Sequence, residues 1–441
     1  MRINVKRIFF ATLILVFISP VYTAVPSKGF VDGEIIVKYK KKVATSSYRL
    51  SGQSIVPDEK EVRVIKLHGQ TVEDAVREYS KDGNVEVVQP NYIYRISATA
   101  PNDPYYATHL WALNNTGQSI PGASYSANNP GTSGDDMNAE YAWDYNTSCS
   151  GVTVAVIDTG VYYTHEDLSA NMWNGGNSYP NHGYDFVNSD NAPMDDNGHG
   201  THVAGIIGAA GNNGVGITGV CWSASIMAVK TFDASGVSDT AKIVQGMSFA
   251  MSNGAKVMNM SFNIDNSMDT VLYNKISDAM NSDVVVVAAA GNGLGNDGNP
   301  RDVDSSSFST YPCDFDLDNI ICVCSVDQKN AIATFSNYGT TSVDVCAPGT
   351  NIWSTWNSNN SSYKIENGTS MSTAYVAGLA ALVRSYNTSY TYRETRLALM
   401  YGAVKVSGLE AKSVSGNVVD GLSAITYIAP PTGITAVINN N

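Results

Sequence analysis

The hydrophobic positions divide the chain into two regions of different rhythm. Between residues 28 and 96, "GEIIVKYK" and "VRVIKLHG" read as strands and "TVEDAVREYSKDG" repeats its apolar positions at helical spacing. "VEVVQPNYIYRI" then closes as a further strand, so this stretch is expected to form a small α/β sandwich of its own. "SATAPNDP", residues 97 to 104, reads as an exposed, proline-containing linker and a site for cleavage. From residue 150 onward the rhythm changes. "VTVAVIDT", "ASIMAVKT", "KVMNMSF", "DVVVVAAA" and "NIICVCSV" are apolar on both faces, as parallel strands are when helices cover both sides of their sheet. Helical stretches at 200 to 210, 238 to 253 and 267 to 281 lie between them. The alternation predicts an α/β fold, a doubly wound parallel sheet, with its site at the carboxyl ends of the strands. Asp158, Ser261, Gly291 and Asn292 fall at such ends. The polar residues after Ala429 read as a loose tail.

Composition narrows the class. With 441 residues, 43% hydrophobic and 15% charged, the chain suits one large domain plus a smaller module and is not disordered. Its 27 basic and 40 acidic residues leave a net charge of -13, which argues against nucleic acid and anionic membranes as partners and for cations. Arg2, Lys6 and Arg7 precede an apolar run from Ile8 to Ile18, then Pro20 and small residues to Ala24. That is the form of a secretory signal peptide, too short to span a bilayer comfortably, and it implies a secreted protein. The six cysteines suit that oxidising compartment. Cys322 and Cys324 lie two apart on one strand and face the same way, so each needs a partner elsewhere, and buried free thiols are the plainer alternative.

Three polar segments interrupt this pattern. "VAVIDTGVYYTHEDL" places Asp158 at a strand end, "DDNGHGTHVAG" places His199 at the start of a Gly/Ala-rich helix, and "NGTSMSTAYVAG" places Ser370 at the start of another. A serine hydroxyl becomes a nucleophile when an imidazole takes its proton, and the imidazole needs a carboxylate to hold its tautomer. "VVAAAGNG" adds Asn292 after a buried strand, a residue able to donate to an oxyanion. Each has a plainer role: Asp158 and Ser370 as helix caps, His199 as a surface residue, Asn292 as a turn residue. The four together, in this order and local context, point to acyl transfer. His202, three residues after His199, lacks a following carboxylate at zinc-site spacing and is expected to pack near that helix.

Taken together these segments resemble the active-site motifs of the subtilisin-like serine proteases, the subtilases. The resemblance implies a subtilisin-like catalytic domain over residues 98 to 429, a signal peptide over 1 to 24, a tail over 430 to 441, and a propeptide over 25 to 97. Such a propeptide assists folding, inhibits the cleft and is cut off between Ile96 and Asp103. It also implies a monomeric endopeptidase acting on proteins or peptides, with no stable membrane association. Ser370 would be nucleophile, His199 base and acid, Asp158 its orienting carboxylate, and Asn292 the oxyanion donor with the Ser370 N–H. Substrate would pair with Ser261, Phe262 and Asn263 on one side and with Ser235 and Gly236 on the other, near Gly291. Asn263 departs from the family's usual glycine, and Ala374 and Tyr375 from its usual Pro and His. The resemblance further implies calcium held by Asp103, Asp167, Asn213 and the carbonyls of Val215 and Ile217. A second calcium loop would use Asp185 and Asp190 with Asp195 or Asp196, the alternative being a solvated acidic loop.

Overall fold

The computed structural model describes residues 30–40, 62–92, 98–125 and 127–428. The signal segment and the tail of the sequence reading lie outside them.

The small unit forms around a three-stranded antiparallel sheet, Val62–Lys66, Phe30–Tyr39 and Val85–Tyr92 in spatial order. Its helix, Val72–Tyr79, starts where the Thr71 side chain accepts the Asp74 N–H at 3.1 Å. Val72, Ala75 and Tyr79 then recur at helical spacing on one buried face, against Ile35, Val37 and Ile65 of the sheet.

In the large unit, nine strands form one sheet, parallel except at the edge where Val404–Lys405 meets Asn417–Val418. Ser148–Asp158 lies between Ser223–Lys230 and Ala255–Met260, so successive strands are laid down on both sides of it and the strand order reverses there. Alternate residues of each strand serve different cores. Val154 and Val156 face one layer, and Ala155 and Ile157 the other. Both layers are dry because helices cover both faces, which explains strands without polar alternation. On one side lie His199–Gly208 and Thr369–Tyr386, and on the other Thr240–Ser252 and Thr270–Asn281. These helices match the predicted stretches to within a few residues.

All six cysteines pair: Cys149 with Cys221, Cys313 with Cys322, and Cys324 with Cys346. Cys322 and Cys324 do share a face, and each finds a different partner in the same core. No helix among the described residues is long and apolar enough to cross a membrane.

Candidate functional site

Asp158 ends the central strand, the position where parallel strands deliver residues to a crevice. It is almost wholly buried, and its carboxylate accepts a hydrogen bond from His199 Nδ1 at 2.8 and 3.0 Å. Burial works against a charged imidazole, yet Asp158, with Asp195 and Glu366 farther off, lifts the His199 pKa above the ordinary histidine value. His202, one turn on, is fully buried and pushed down to about 3 by desolvation. It stays neutral, and its Nε2–H faces the carbonyls of Ile352 and Lys364 at 3.1 Å. His202 is thus a packing residue, as expected from the lack of a carboxylate at zinc-site spacing.

Ser370 lies in the first turn of an 18-residue helix that starts at Thr369. The N-cap is Gly368, with no side-chain cap bond, which corrects the expectation that Ser370 begins or caps the helix. Its hydroxyl is left unspent on capping and donates to the Ser261 carbonyl at 3.1 Å. Ser261 Oγ in turn donates to the Ser370 carbonyl at 3.0 Å and accepts from Asn259 at 2.8 Å. Asp158, His199, Ser370 and Asn292 line one cleft of about 350 Å³.

Asn292 is oriented from behind. Its Oδ1 accepts both the backbone N–H and the hydroxyl of Thr369, at 3.0 and 3.1 Å. With the oxygen committed, the amide NH₂ is the end left for the cleft. Asn337 braces the same strand end: its Nδ2 donates to the Ala290 carbonyl, and its Oδ1 accepts from the Gly293 and Arg301 N–H groups. The sequence reading assigned neither Thr369 nor Asn337 a role. Thr369 was detectable as the residue preceding the serine, whereas Asn337 is remote in sequence and left no local signal.

Among the substrate-binding candidates, Ser261, Phe262, Asn263 and Gly236 line the cleft, and Ser235 does not. The 233–237 segment is a tight turn in which Asp233 N–H donates to the Val237 carbonyl and Gly236 takes φ +74°. Phe232 packs its ring 4.9 Å from that of Phe262, joining the two rims. Gly291 supports the opposite wall, at φ +92°.

The acidic candidates separate into two groups. Asp103 and Asp167 are buried, and Asn213 lies with them. Asp167 accepts from Asn213 Nδ2 at 2.8 Å and from the Ile217 N–H at 2.8 Å, while Asp103 accepts the Asn212 and Asn213 N–H groups. Val215 and Ile217 belong to the same loop, whose Gly216 approaches so closely that a Cβ would lie 2.5 Å from Asp167 Oδ2. Burial, reinforced by Asp103, pushes the Asp167 carboxyl up to about 6. Two buried carboxylates with an amide and backbone oxygens fit a hard cation such as calcium. Among the described residues no three His, Cys, Asp or Glu side chains gather around a metal position, so a cation here would need the neutral oxygens as well.

In the second group the backbones of Asp185 and Asp190 pair with each other, but the carboxylates are engaged separately. Asp185 caps its own turn through the Val187 and Asn188 N–H groups, and Asp190 accepts the Ala192 N–H. Asp196 pairs with the buried Lys230 at 2.6 Å, and Lys230 also donates to the Thr159 carbonyl. Asp195 turns inward. It accepts from Thr159 Oγ1, from the Asn197 and Gly198 N–H groups, and from the N–H and hydroxyl of Thr201. Its oxygens are saturated by donors, which leaves no room for a cation. Asp195 instead ties the loop after Asp158 to the first turn of the His199 helix.

Sequence comparison supplies independent information. The subtilase family's sequence pattern matches residues 149–418, and that of the fervidolysin N-terminal prodomain matches residues 18–91. The chain is 36% identical over 407 residues to a thermophilic serine proteinase of Bacillus sp. (strain AK1), covering 90% of this chain and 88% of that one. It is 35% identical over 329 residues to thermitase of Thermoactinomyces vulgaris, covering 74% and 99%. With subtilisin Savinase of Lederbergia lenta it shares 41% over 247 residues, covering 56% and 81%.

Proposed function

Since the chain belongs to the subtilase family of serine endopeptidases and carries a fervidolysin-type N-terminal prodomain, we propose that it is a secreted zymogen that hydrolyses peptide bonds at the Asp158–His199–Ser370 cleft. The observation that carries this reading is the Asp158–His199 hydrogen bond opening onto the same cleft as a Ser370 hydroxyl not used for capping and an oriented Asn292 amide.

In the proposed cycle the Ser370 hydroxyl leaves the Ser261 carbonyl and turns to His199 Nε2. Its oxygen attacks the scissile carbonyl as His199 takes the proton. The carbonyl oxygen gains negative charge and is met by the Asn292 NH₂ and by the Ser370 N–H at the helix start, where the helix dipole adds to the attraction. Asp158 stabilises the imidazolium that forms. His199 then protonates the leaving nitrogen, the C–N bond breaks, and an acyl-enzyme on Ser370 remains. Water repeats the sequence with His199 again as base, releasing the acid and restoring the serine.

The prodomain would occupy the cleft until cleavage between residues 96 and 103. Residues within that window are already anchored on the large unit: Thr99 bonds to Asp144, and Asn102 accepts the Gly214 N–H. Calcium, when bound, would neutralise Asp103 and Asp167 with Asn213 and the Val215 and Ile217 carbonyls as further oxygens, fastening the new amino terminus to the loop at 211–217.

Intact mass and peptide hydrolysis together test the reading. The wild-type chain should shorten at its amino terminus and gain activity, while S370A should keep its prodomain and remain inert. An S370A chain that processes itself or cleaves peptide refutes it.

A further inference from the structure

The position of the reacting groups dictates where the substrate's side chains go. The scissile carbonyl carbon has to sit at Ser370 Oγ, itself 3.1 Å from the Ser261 carbonyl, with its oxygen toward Asn292. The leaving nitrogen lies on the His199 side, because His199 must protonate it. Ser261, Phe262, Asn263 and Ala289 line the same cleft as Ser370, so the gap between the wall segments 261–263 and 289–291 is the space beside the nucleophile that the side chain of the acyl residue would enter.

In this chain that gap holds an amide. Asn263 Nδ2 donates to Asp265 Oδ1 at 2.6 Å and to Thr310 Oγ1 at 2.9 Å, Thr310 being fully buried on the neighbouring strand Thr310–Tyr311. The amide also lies against the opposite wall: a Cβ on Gly291 would meet Asn263 Nδ2 at 3.2 Å and its Cγ at 3.4 Å. Both amide hydrogens are committed, one to a carboxylate, so swinging the side chain aside breaks two hydrogen bonds at once. A long apolar side chain entering the gap would meet filled volume and would strip solvent from polar groups without replacing it.

We infer that Asn263 is a specificity-determining residue that restricts the acyl side of the scissile bond to glycine, alanine or serine. This rests on the endopeptidase reading above and deepens it by naming the substrate class.

The test uses protein expressed as the full chain and matured by loss of its prodomain, with a set of peptides identical except at that residue, which is Ala, Ser, Leu or Phe. Wild type should favour Ala and Ser over Leu and Phe by about tenfold or more in kcat/KM. N263G, which empties the gap, should raise the Phe-to-Ala ratio by about tenfold, measured by competition within one preparation so that any misfolded fraction cancels. N263Q should keep the wild-type order. Wild type that cleaves after Phe as readily as after Ala, or N263G with an unchanged ratio, overturns the inference. Failure of the endopeptidase reading looks different: wild type would cleave no peptide of the set, and the inference would fall with it.

Discussion

In the proposed cycle Asn292 would act through only one end of its amide. Thr369 holds the oxygen, so the nitrogen is aimed before any substrate arrives, and such preorganisation is what makes an oxyanion donor effective. Asn292→Ala is expected to lower kcat by roughly two to three orders of magnitude with little change in KM, as steady-state kinetics on one peptide would show. The histidine gives a pH signature. The proposed cycle requires neutral His199, so activity should disappear as pH falls through its raised pKa. Asp158 is the main group holding that pKa up against burial. Asp158→Asn should therefore move the acid limb of the kcat/KM profile to lower pH while cutting kcat by about four orders of magnitude. A limb that stays in place or moves to higher pH would contradict the assignment.

The helix that carries His199 illustrates what an element needs beyond its own sequence. Gly198, its N-cap, offers no side chain, and Asp195 supplies the missing acceptor while also binding Thr159. One buried carboxylate thus holds two elements in register. Asp195→Ala would orphan several buried donors and should cost about 3 kcal/mol of stability in chemical denaturation, while lowering kcat more than it raises KM. The elements themselves were legible in the chain. Uninterrupted apolar runs announced buried parallel strands, and the Gly/Ala-rich run after His199 announced a tightly packed helix. Asp195 was not legible, because an aspartate in an acidic loop has the same local sequence whether it faces a cation, water or a helix start. Ser370 was misplaced by one step for a similar reason: Gly, Thr and Ser are all good residues at a helix start.

At the scale of the whole molecule, distant crosslinks become measurable. The Cys149–Cys221 bond spans 72 residues, and the Cys313–Cys322 bond spans 9. By loop-closure entropy, replacing the first pair with serine should cost about 4 kcal/mol, and the second less, in calorimetry of otherwise intact protein. Chelation tests the cation site. Removing calcium should lower Tm by about 5–10 °C, and Asp167→Asn should abolish most of that difference. A Tm indifferent to chelator would remove calcium from the account.

By itself the chain dictated the periodicities, and through them the doubly wound sheet, the separate small unit and the strand ends where reactive residues had to lie. These are local properties: burial on two faces, helical spacing and turn chemistry are all set by near neighbours. Partner choice required tertiary structure. Which cysteine meets which, whether an aspartate faces a cation or a helix, and whether a side chain closes the gap beside the nucleophile all depend on groups far apart in sequence. Only packing brings them within the few ångströms over which hydrogen bonds and ionic contacts operate.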